Sequence, residues 1–195
     1  LPTFRYERFF LEGGMLGVDL LQAQGFKLSA GALIAADGFD PDDAPALAGL
    51  QERKARVYAA LAASYTSPYG IVSARVGGDV SDESKGTRLR LGYQYPLQFG
   101  SVTLLPGAGV DWLDKKDARY LYGVSPAEAT AGRPAYAPGA GFNPYVNLSA
   151  VWRLGGPHAI TGFAQVQALD SAFKDSPIVD RRGVATLGVG YQYRF

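Results

Sequence analysis

The chain has 195 residues, and its 19 lysines and arginines against 18 aspartates and glutamates leave a formal net charge of +1. This length suits one domain, and the near-neutral charge disfavours nucleic-acid binding, which usually needs a large basic excess. Cysteine is absent and histidine occurs once, which excludes disulfides, thiol catalysis and metal centres rich in cysteine or histidine.

Alternation of apolar and polar residues with a period of two runs through most of the chain and predicts β-strands. The region from Arg5 to Leu21 is ambiguous, because it fits two strands that meet near Gly13-Gly14 or one long strand. The later predicted strands cover residues 26–34, 56–66, 72–80, 87–95, 102–112, 146–154, 160–168 and 186–195, with Phe163 out of phase. About ten strands of roughly ten residues result, the length that a tilted strand needs to cross a bilayer.

The predicted connections alternate in length along the chain. Short turns fall at residues 23–25, 67–70, 96–100 and 155–158, and longer loops at 38–54, 81–86, 114–139 and 170–182. Outer-membrane barrels have short turns at one rim and long loops at the other. A turn at Gly13-Gly14 would be a short connection on the long-loop rim. We therefore predict an all-β fold, a transmembrane antiparallel up-and-down β-barrel, as a single domain over residues 1–195.

Aromatic residues lie near the ends of the apolar strand faces, as expected for rings at the lipid headgroups. They are Tyr65, Tyr93, Tyr95, Trp112, Trp152, Tyr191, Tyr193 and Phe195. The alternative is a soluble barrel with ordinary core aromatics. The last three residues of the set resemble the C-terminal signal of bacterial outer-membrane proteins. That resemblance implies an assembly signal at Tyr191, Tyr193 and Phe195, which the barrel-assembly machinery recognises.

If the apolar faces contact outer-membrane lipid, a set of charged residues points into the lumen. The predicted lumen-facing charges are Lys27, Arg56, Arg75, Arg88, Arg90, Asp111 and Arg153, together with Asp19 and Asp79. Cations outnumber anions in this set, which leaves two interpretations. One is a narrow path for small anions, and the other is a polar plug whose charges pair with each other. The small predicted barrel favours the plug.

No catalytic, cofactor or metal site is predicted. His158 falls in a Gly-Gly-Pro-His turn, where spacing places no carboxylate or hydroxyl partner, so a solvated turn residue is the better interpretation. The adjacent Asp42 and Asp43 lack the spaced oxygen ligands of a calcium site. We therefore expect a protein that is not an enzyme.

The longest loop carries a distinctive set of residues that resembles the hallmark of the MltA-interacting protein/OmpV family. This set consists of Tyr122, Gly123, Val124, Ser125, Pro126, Glu128, Ala129, Gly132, Pro134 and Tyr136. Asp175, Ser176, Pro177 and Val179 resemble a later Asp-Ser-Pro loop of the family. Residues 40–53 resemble its first long loop, so the match extends over the whole chain.

The resemblance implies a bacterial outer-membrane barrel with a scaffold role. In the family, such a scaffold brings a lytic transglycosylase together with a penicillin-binding protein, and other members are associated with adhesion. It also implies a signal peptide and about one further hairpin before Leu1, so the complete family barrel would reach 12 strands. We expect a scaffold for murein-remodelling enzymes, with a small, slightly anion-selective channel or a surface adhesin as the alternatives.

Overall fold

The computed structural model of the chain describes residues 4–193, with Tyr193 described by its backbone alone. These residues form one antiparallel sheet in which strands pair in sequence order, except that β8 pairs with β9 beside β7. The strands are β1 Phe4–Tyr6, β2 Phe9–Glu12, β3 Met15–Ala23, β4 Phe26–Ala35, β5 Arg56–Ser67, β6 Gly70–Asp79, β7 Thr87–Gln94, β8 Leu97–Phe99, β9 Val102–Leu113, β10 Gly141–Gly155, β11 His158–Ala168 and β12 Gly183–Tyr193. The predicted antiparallel up-and-down architecture is confirmed.

The sheet curls into a half-barrel, so its two faces differ. Arg90 of β7 donates to Gln165 of β11, and the Nη2–Oε1 distance is 2.5 Å although β9 and β10 lie between these strands. Side chains can meet across two intervening strands only on the concave face. Residues that share a face with Arg90 and Gln165 therefore point into the lumen, and their neighbours in sequence point outward.

The strand count differs from the predicted ten at two places. Residues 4–23 form β1, β2 and β3, with the expected turn at Gly13-Gly14 and an additional turn at Glu7-Arg8. The strand predicted over residues 87–95 ends at Gln94, and β8 resumes the pairing with β9 beyond Pro96. Proline has no N–H to donate to a ladder, which accounts for the interruption there.

The two rims of the sheet carry connections of different length. At the short-turn rim, residues 24–25, 68–69, 100–101 and 156–157 join strands directly, and Gln24 and Gly25 have φ angles of 49° and 80°. Two residues at positive φ are the signature of a tight hairpin turn that matches the twist of its strands. Residues 36–55, 80–86, 114–140 and 169–182 form the loops of the long-loop rim.

The outward face is apolar along the long strands. Its exposed side chains include Leu61, Tyr65, Val72, Val76, Leu91, Tyr93, Val146, Leu148, Trp152, Val166, Leu187, Val189 and Tyr191. Leu187 and Val189 are more than three-quarters exposed, a position that costs free energy in water but not against lipid. The alternation read from the sequence thus places its apolar faces on the outside.

Short helices interrupt two of the long loops. Helix α1 spans Lys115–Tyr122, and α2 is a single turn over Ser171–Lys174. Asp114 accepts hydrogen bonds from the backbone N–H groups of Lys116 and Asp117, which caps the start of α1. Asp170 caps α2 in the same way through Ala172 N. No helix between residues 4 and 193 is long and apolar enough to cross a membrane.

Candidate functional site

Three long loops pack against each other at the long-loop rim and form what we call the loop cap, residues 36–55, 114–140 and 169–182. Arg133 Nη1 donates to the carbonyl oxygens of Ala46 and Ala48, each at 3.0 Å, and so joins the loop 114–140 to the loop 36–55. The Tyr136 hydroxyl donates to the Ala172 carbonyl oxygen at 3.0 Å, which joins the loop 114–140 to the loop 169–182. Each loop is thereby fixed by its neighbours.

The residues that resemble the family hallmark build the inside of this cap. Val124 and Tyr136 exchange backbone hydrogen bonds of 2.8 and 2.9 Å, and the Val124 side chain is buried. Tyr122 stacks on Phe173 with ring centroids 4.7 Å apart. Gly123 lies so close to α1 that a Cβ atom there would be 2.3 Å from the Arg119 carbonyl oxygen. These residues act in the cap as a structural unit.

Other residues of the two motifs lie at the cap surface or join its loops. Ser176 donates from Oγ to the Tyr122 carbonyl oxygen at 2.7 Å, and Val179 N donates to the Ser176 carbonyl oxygen. The exposed members are Ser125, Pro126, Gly132, Pro134, Asp175 and Pro177, and the half-buried ones are Ala129 and Val179.

Glu128 is a buried carboxylate in the loop 114–140. Its carboxylate accepts from Gln51 N and Ser125 N, each at 2.9 Å, and pairs with Arg53 Nη2 at 3.1 Å. Burial alone would raise the pKa of Glu128, but these hydrogen bonds and the Arg53 charge outweigh it and lower the pKa to about 2. The charged form of Glu128 therefore stabilises the cap.

We expect the cap to lose stability as the pH falls from about 4.5, the pKa of a free glutamate, to about 2. A lowered pKa means that the stabilisation is complete above the unfolded value and disappears below the folded one. Glu128→Gln should weaken the cap by about 2 kcal/mol at pH 7 and remove this part of the pH dependence. Hydrogen exchange of the cap amides, corrected for intrinsic rates, measures both effects. An identical pH dependence in the variant would contradict the assignment.

A buried network of charges lies directly beneath the cap. Asp117 of α1 accepts from Arg56 Nη1 at 2.6 Å and from the Tyr58 hydroxyl at 2.6 Å, and it also pairs with Arg88. Asp37 pairs with the same two arginines, and its distance to Arg88 Nη1 is 2.7 Å. The side chains of Arg56 and Asp117 have no exposed surface. Burial would raise the pKa of Asp37, but the charges of Arg88 and Arg56 lower it.

The remaining predicted lumen-facing charges fall into separate groups. Arg90 pairs with Asp111 at 3.0 Å, and Gln167 Nε2 donates to the same carboxylate at 2.6 Å. Lys27 lies 3.7 Å from Asp19, which also pairs with Arg5. Arg153 is exposed and donates to the Thr103 hydroxyl. For the network beneath the cap, the sequence indicated Arg56 and Arg88 but not their loop partners Asp37 and Asp117, which lie outside the alternating segments.

Arg75 differs from the other lumen-facing arginines. It lies opposite Arg90 in the β6–β7 register, yet within residues 4–193 no carboxylate lies within 4 Å of its guanidinium. It borders a cavity of about 220 Å³ that also contacts Arg88, Asn143 and Gln165. The cavity lies between the network beneath the cap and the Arg90–Asp111 pair.

The predicted assembly signal is only partly within the described residues. Tyr191 points outward near the short-turn rim, and its hydroxyl contacts Nδ1 of His158. Tyr193 is the last residue of β12 and pairs with His158 through the backbone, whereas Phe195 lies outside the described residues. His158 begins β11 and has a hydroxyl neighbour that spacing did not reveal.

The acidic pair Asp42 and Asp43 belongs to a 3₁₀ turn over Pro41–Asp43. Asp40 accepts from Asp42 N, and Asp43 accepts from Asp40 N, so the two carboxylates form a reciprocal capping box at the start of the turn. Between residues 4 and 193 no group of three or more histidine, aspartate or glutamate side chains is arranged to hold a metal ion.

Comparison with known proteins gives a match over the whole chain. The family model described as MltA-interacting protein MipA matches residues 1–195. The MltA-interacting protein of Escherichia coli (strain K12) is 32% identical over 147 residues, which is 75% of this chain. That alignment covers 59% of the E. coli protein, so this chain spans less than two thirds of that relative.

Other relatives are named as outer membrane proteins. Omp26La of Vibrio anguillarum is 28% identical over 199 residues, covering 100% of this chain and 77% of that protein. OmpV of Vibrio cholerae is 31% identical over 157 residues, 80% of this chain and 61% of that protein. No solved structure matches the chain. The predicted family resemblance and outer-membrane location are confirmed.

Proposed function

We propose that this chain, which belongs to the MltA-interacting protein MipA family, is a non-enzymatic outer-membrane scaffold that binds a murein-remodelling enzyme. The observation that carries the proposal is the similarity of three quarters of the chain to a protein named for its interaction with MltA. A lytic transglycosylase, with a penicillin-binding protein as a second partner, fits the role implied by the family resemblance.

The geometry argues against an open passage through the lumen. The loop cap crosses the long-loop end of the lumen and is fixed by the hydrogen bonds of Arg133 and Tyr136. The paired charges beneath the cap occupy the lumen, which argues against the alternative of a small anion channel.

The position of murein decides which rim the partner uses. In outer-membrane barrels the short turns face the periplasm and the long loops face outside. Murein lies in the periplasm, so an enzyme that remodels it must contact the short-turn rim. Tyr69 stands at the tip of the β5–β6 turn with 84% of its surface exposed. Aromatic side chains are frequent anchors of protein interfaces.

We expect tagged wild-type protein to capture a lytic transglycosylase from solubilised envelopes, and Tyr69→Ser to reduce the yield at least about tenfold, as for an interface anchor. The matched control is Asp180→Ser, since Asp180 is also highly exposed but lies on the long-loop rim. Mass spectrometry of the captured proteins gives the yield.

Each other outcome counts against part of this proposal. Capture of no murein enzyme by the wild type would refute the scaffold role. Loss of capture with Asp180→Ser alone would place the partner on the long-loop rim and refute the assignment to the short-turn rim. Steady conductance of the wild type in planar bilayers, without capture, would favour the channel.

A further inference from the structure

We infer that the lumen cavity beneath the loop cap binds a small oxyanion, held by Arg75 and Arg88. The inference is independent of the scaffold role, because it concerns the interior of the sheet and not a rim. It follows from the charges that line the cavity, the hydrogen bonds that these charges already make, and the space that remains.

The carboxylates at the cavity are already satisfied by the protein. Asp111 accepts from Arg90 Nη1 at 3.0 Å and from Gln167 Nε2 at 2.6 Å. Asp37 pairs with both Arg56 and Arg88. Neither carboxylate is left to attract a cation or to neutralise a further arginine, so the cavity does not have the chemistry of a metal site.

Two arginines at the same cavity retain unused donors. Arg88 contacts Asp117 through Nε and Asp37 through Nη1, but its Nη2 atom is buried and has no partner among the described residues. A buried donor without an acceptor costs about 1–3 kcal/mol. Arg75 has no carboxylate within 4 Å in the described part of the chain. An anion between them would satisfy both groups.

The strand register brings these two arginines to one wall. Arg75 pairs with Arg90, and Arg88 pairs with Gly77, so Arg75 and Arg88 are diagonal neighbours on the lumen face of β6 and β7. Gly77, opposite Arg88, has no side chain and lines the same cavity. Arg90 does not compete for the anion, because it is occupied by Asp111 and Gln165 and lies 4.0 Å over the Tyr145 ring.

The volume of the cavity and the type of its hydrogen-bond donors indicate which ligand it would bind. A cavity of about 220 Å³ holds about seven waters at about 30 Å³ each, or one small oxyanion with a few waters. Guanidinium groups present parallel N–H donors that match the oxygens of phosphate or carboxylate. The site should therefore prefer phosphate or a small carboxylate to chloride.

The test is a titration of the refolded protein in detergent with inorganic phosphate, followed by isothermal calorimetry. Sodium chloride keeps the ionic strength constant, so that general screening cannot produce the signal. We expect saturable binding of one phosphate per chain. Arg75→Gln should weaken the affinity at least about tenfold, since a hydrogen bond to a charged group contributes about 1.5–3 kcal/mol. Arg153→Gln, which removes a lumen arginine remote from the cavity, should leave the affinity unchanged.

Absence of saturable phosphate binding by the wild type would overturn the inference. Equal affinities of the wild type and Arg75→Gln would also overturn it, as would equal losses in Arg75→Gln and Arg153→Gln. If Arg75→Gln does not refold, Arg75→Lys replaces it, because lysine keeps the charge but lacks the planar fork. A reduced affinity in Arg75→Lys supports the site, and an undiminished one refutes the assignment to Arg75.

Discussion

Leu91→Arg is expected to prevent assembly of the protein in the outer membrane. Leu91 lies on the outward face of β7 between Ala74 and Val110, well away from either rim. An arginine on the lipid face near the bilayer midplane costs about 2–4 kcal/mol in barrel proteins. The measurement is the amount of folded protein in purified outer membranes at equal synthesis, and we expect a loss of most of it.

The matched control places the same new residue on the other face of the same strand. Gln94→Arg points into the lumen, where the half-buried Gln94 side chain lies over Gly107 in the β7–β9 register, beside the polar Asn147 and away from lipid. We expect near-normal assembly of this variant. If Gln94→Arg were the more damaging change, the inside and outside faces would be exchanged, and a soluble barrel would explain the alternation better.

Asp117→Ala is expected to release the loop cap from the sheet. The substitution removes the carboxylate that pairs with Arg56 and Arg88 and accepts from Tyr58. Removing one partner of a buried ion pair typically costs about 3–5 kcal/mol. Here it would leave two arginines, Arg56 and Arg88, with the single Asp37 carboxylate. Limited proteolysis should then cut within residues 114–140 far faster than in the wild type, while the strands remain protected.

Lys116→Ala provides the control for this variant. Lys116 is the neighbour of Asp117 on α1, but its side chain is exposed and alanine favours the helix. We expect its cleavage rate to equal that of the wild type. Equal protection of Asp117→Ala and the wild type would mean that the ion pairs do not hold the cap.

Long alternating segments were predictable from the sequence because a period of two has only one structural explanation. Phe163 shows where such a prediction fails in detail. It is apolar, yet it shares the lumen face with Gln165 and Gln167, because its ring lies over Gly188 on the neighbouring strand. The pairing of a large residue with a glycine across two strands is not visible in either segment alone.

The loop cap could not be derived from the sequence for a related reason. Helix α1 has only eight residues, too short for a helical period to stand out in a polar loop. The contact between Arg56 and Asp117 joins positions 61 residues apart, and Asp117 follows no alternating pattern. The family resemblance marked Tyr122 and Val124 as distinctive, and the structure explains them as parts of the cap.

The burial of Arg56 sets an order of events during biogenesis. Arg56 begins β5, but its partner Asp117 follows β9, so the first half of the sheet can form long before the ion pair exists. Until α1 docks, Arg56 and Arg88 have only the Asp37 carboxylate between them. The charge that remains unbalanced must keep water around it, since an unpaired charge is too costly to dehydrate. The interior thus stays hydrated while strands β5 to β9 pair with each other. Drying of the interior is therefore coupled to docking of α1.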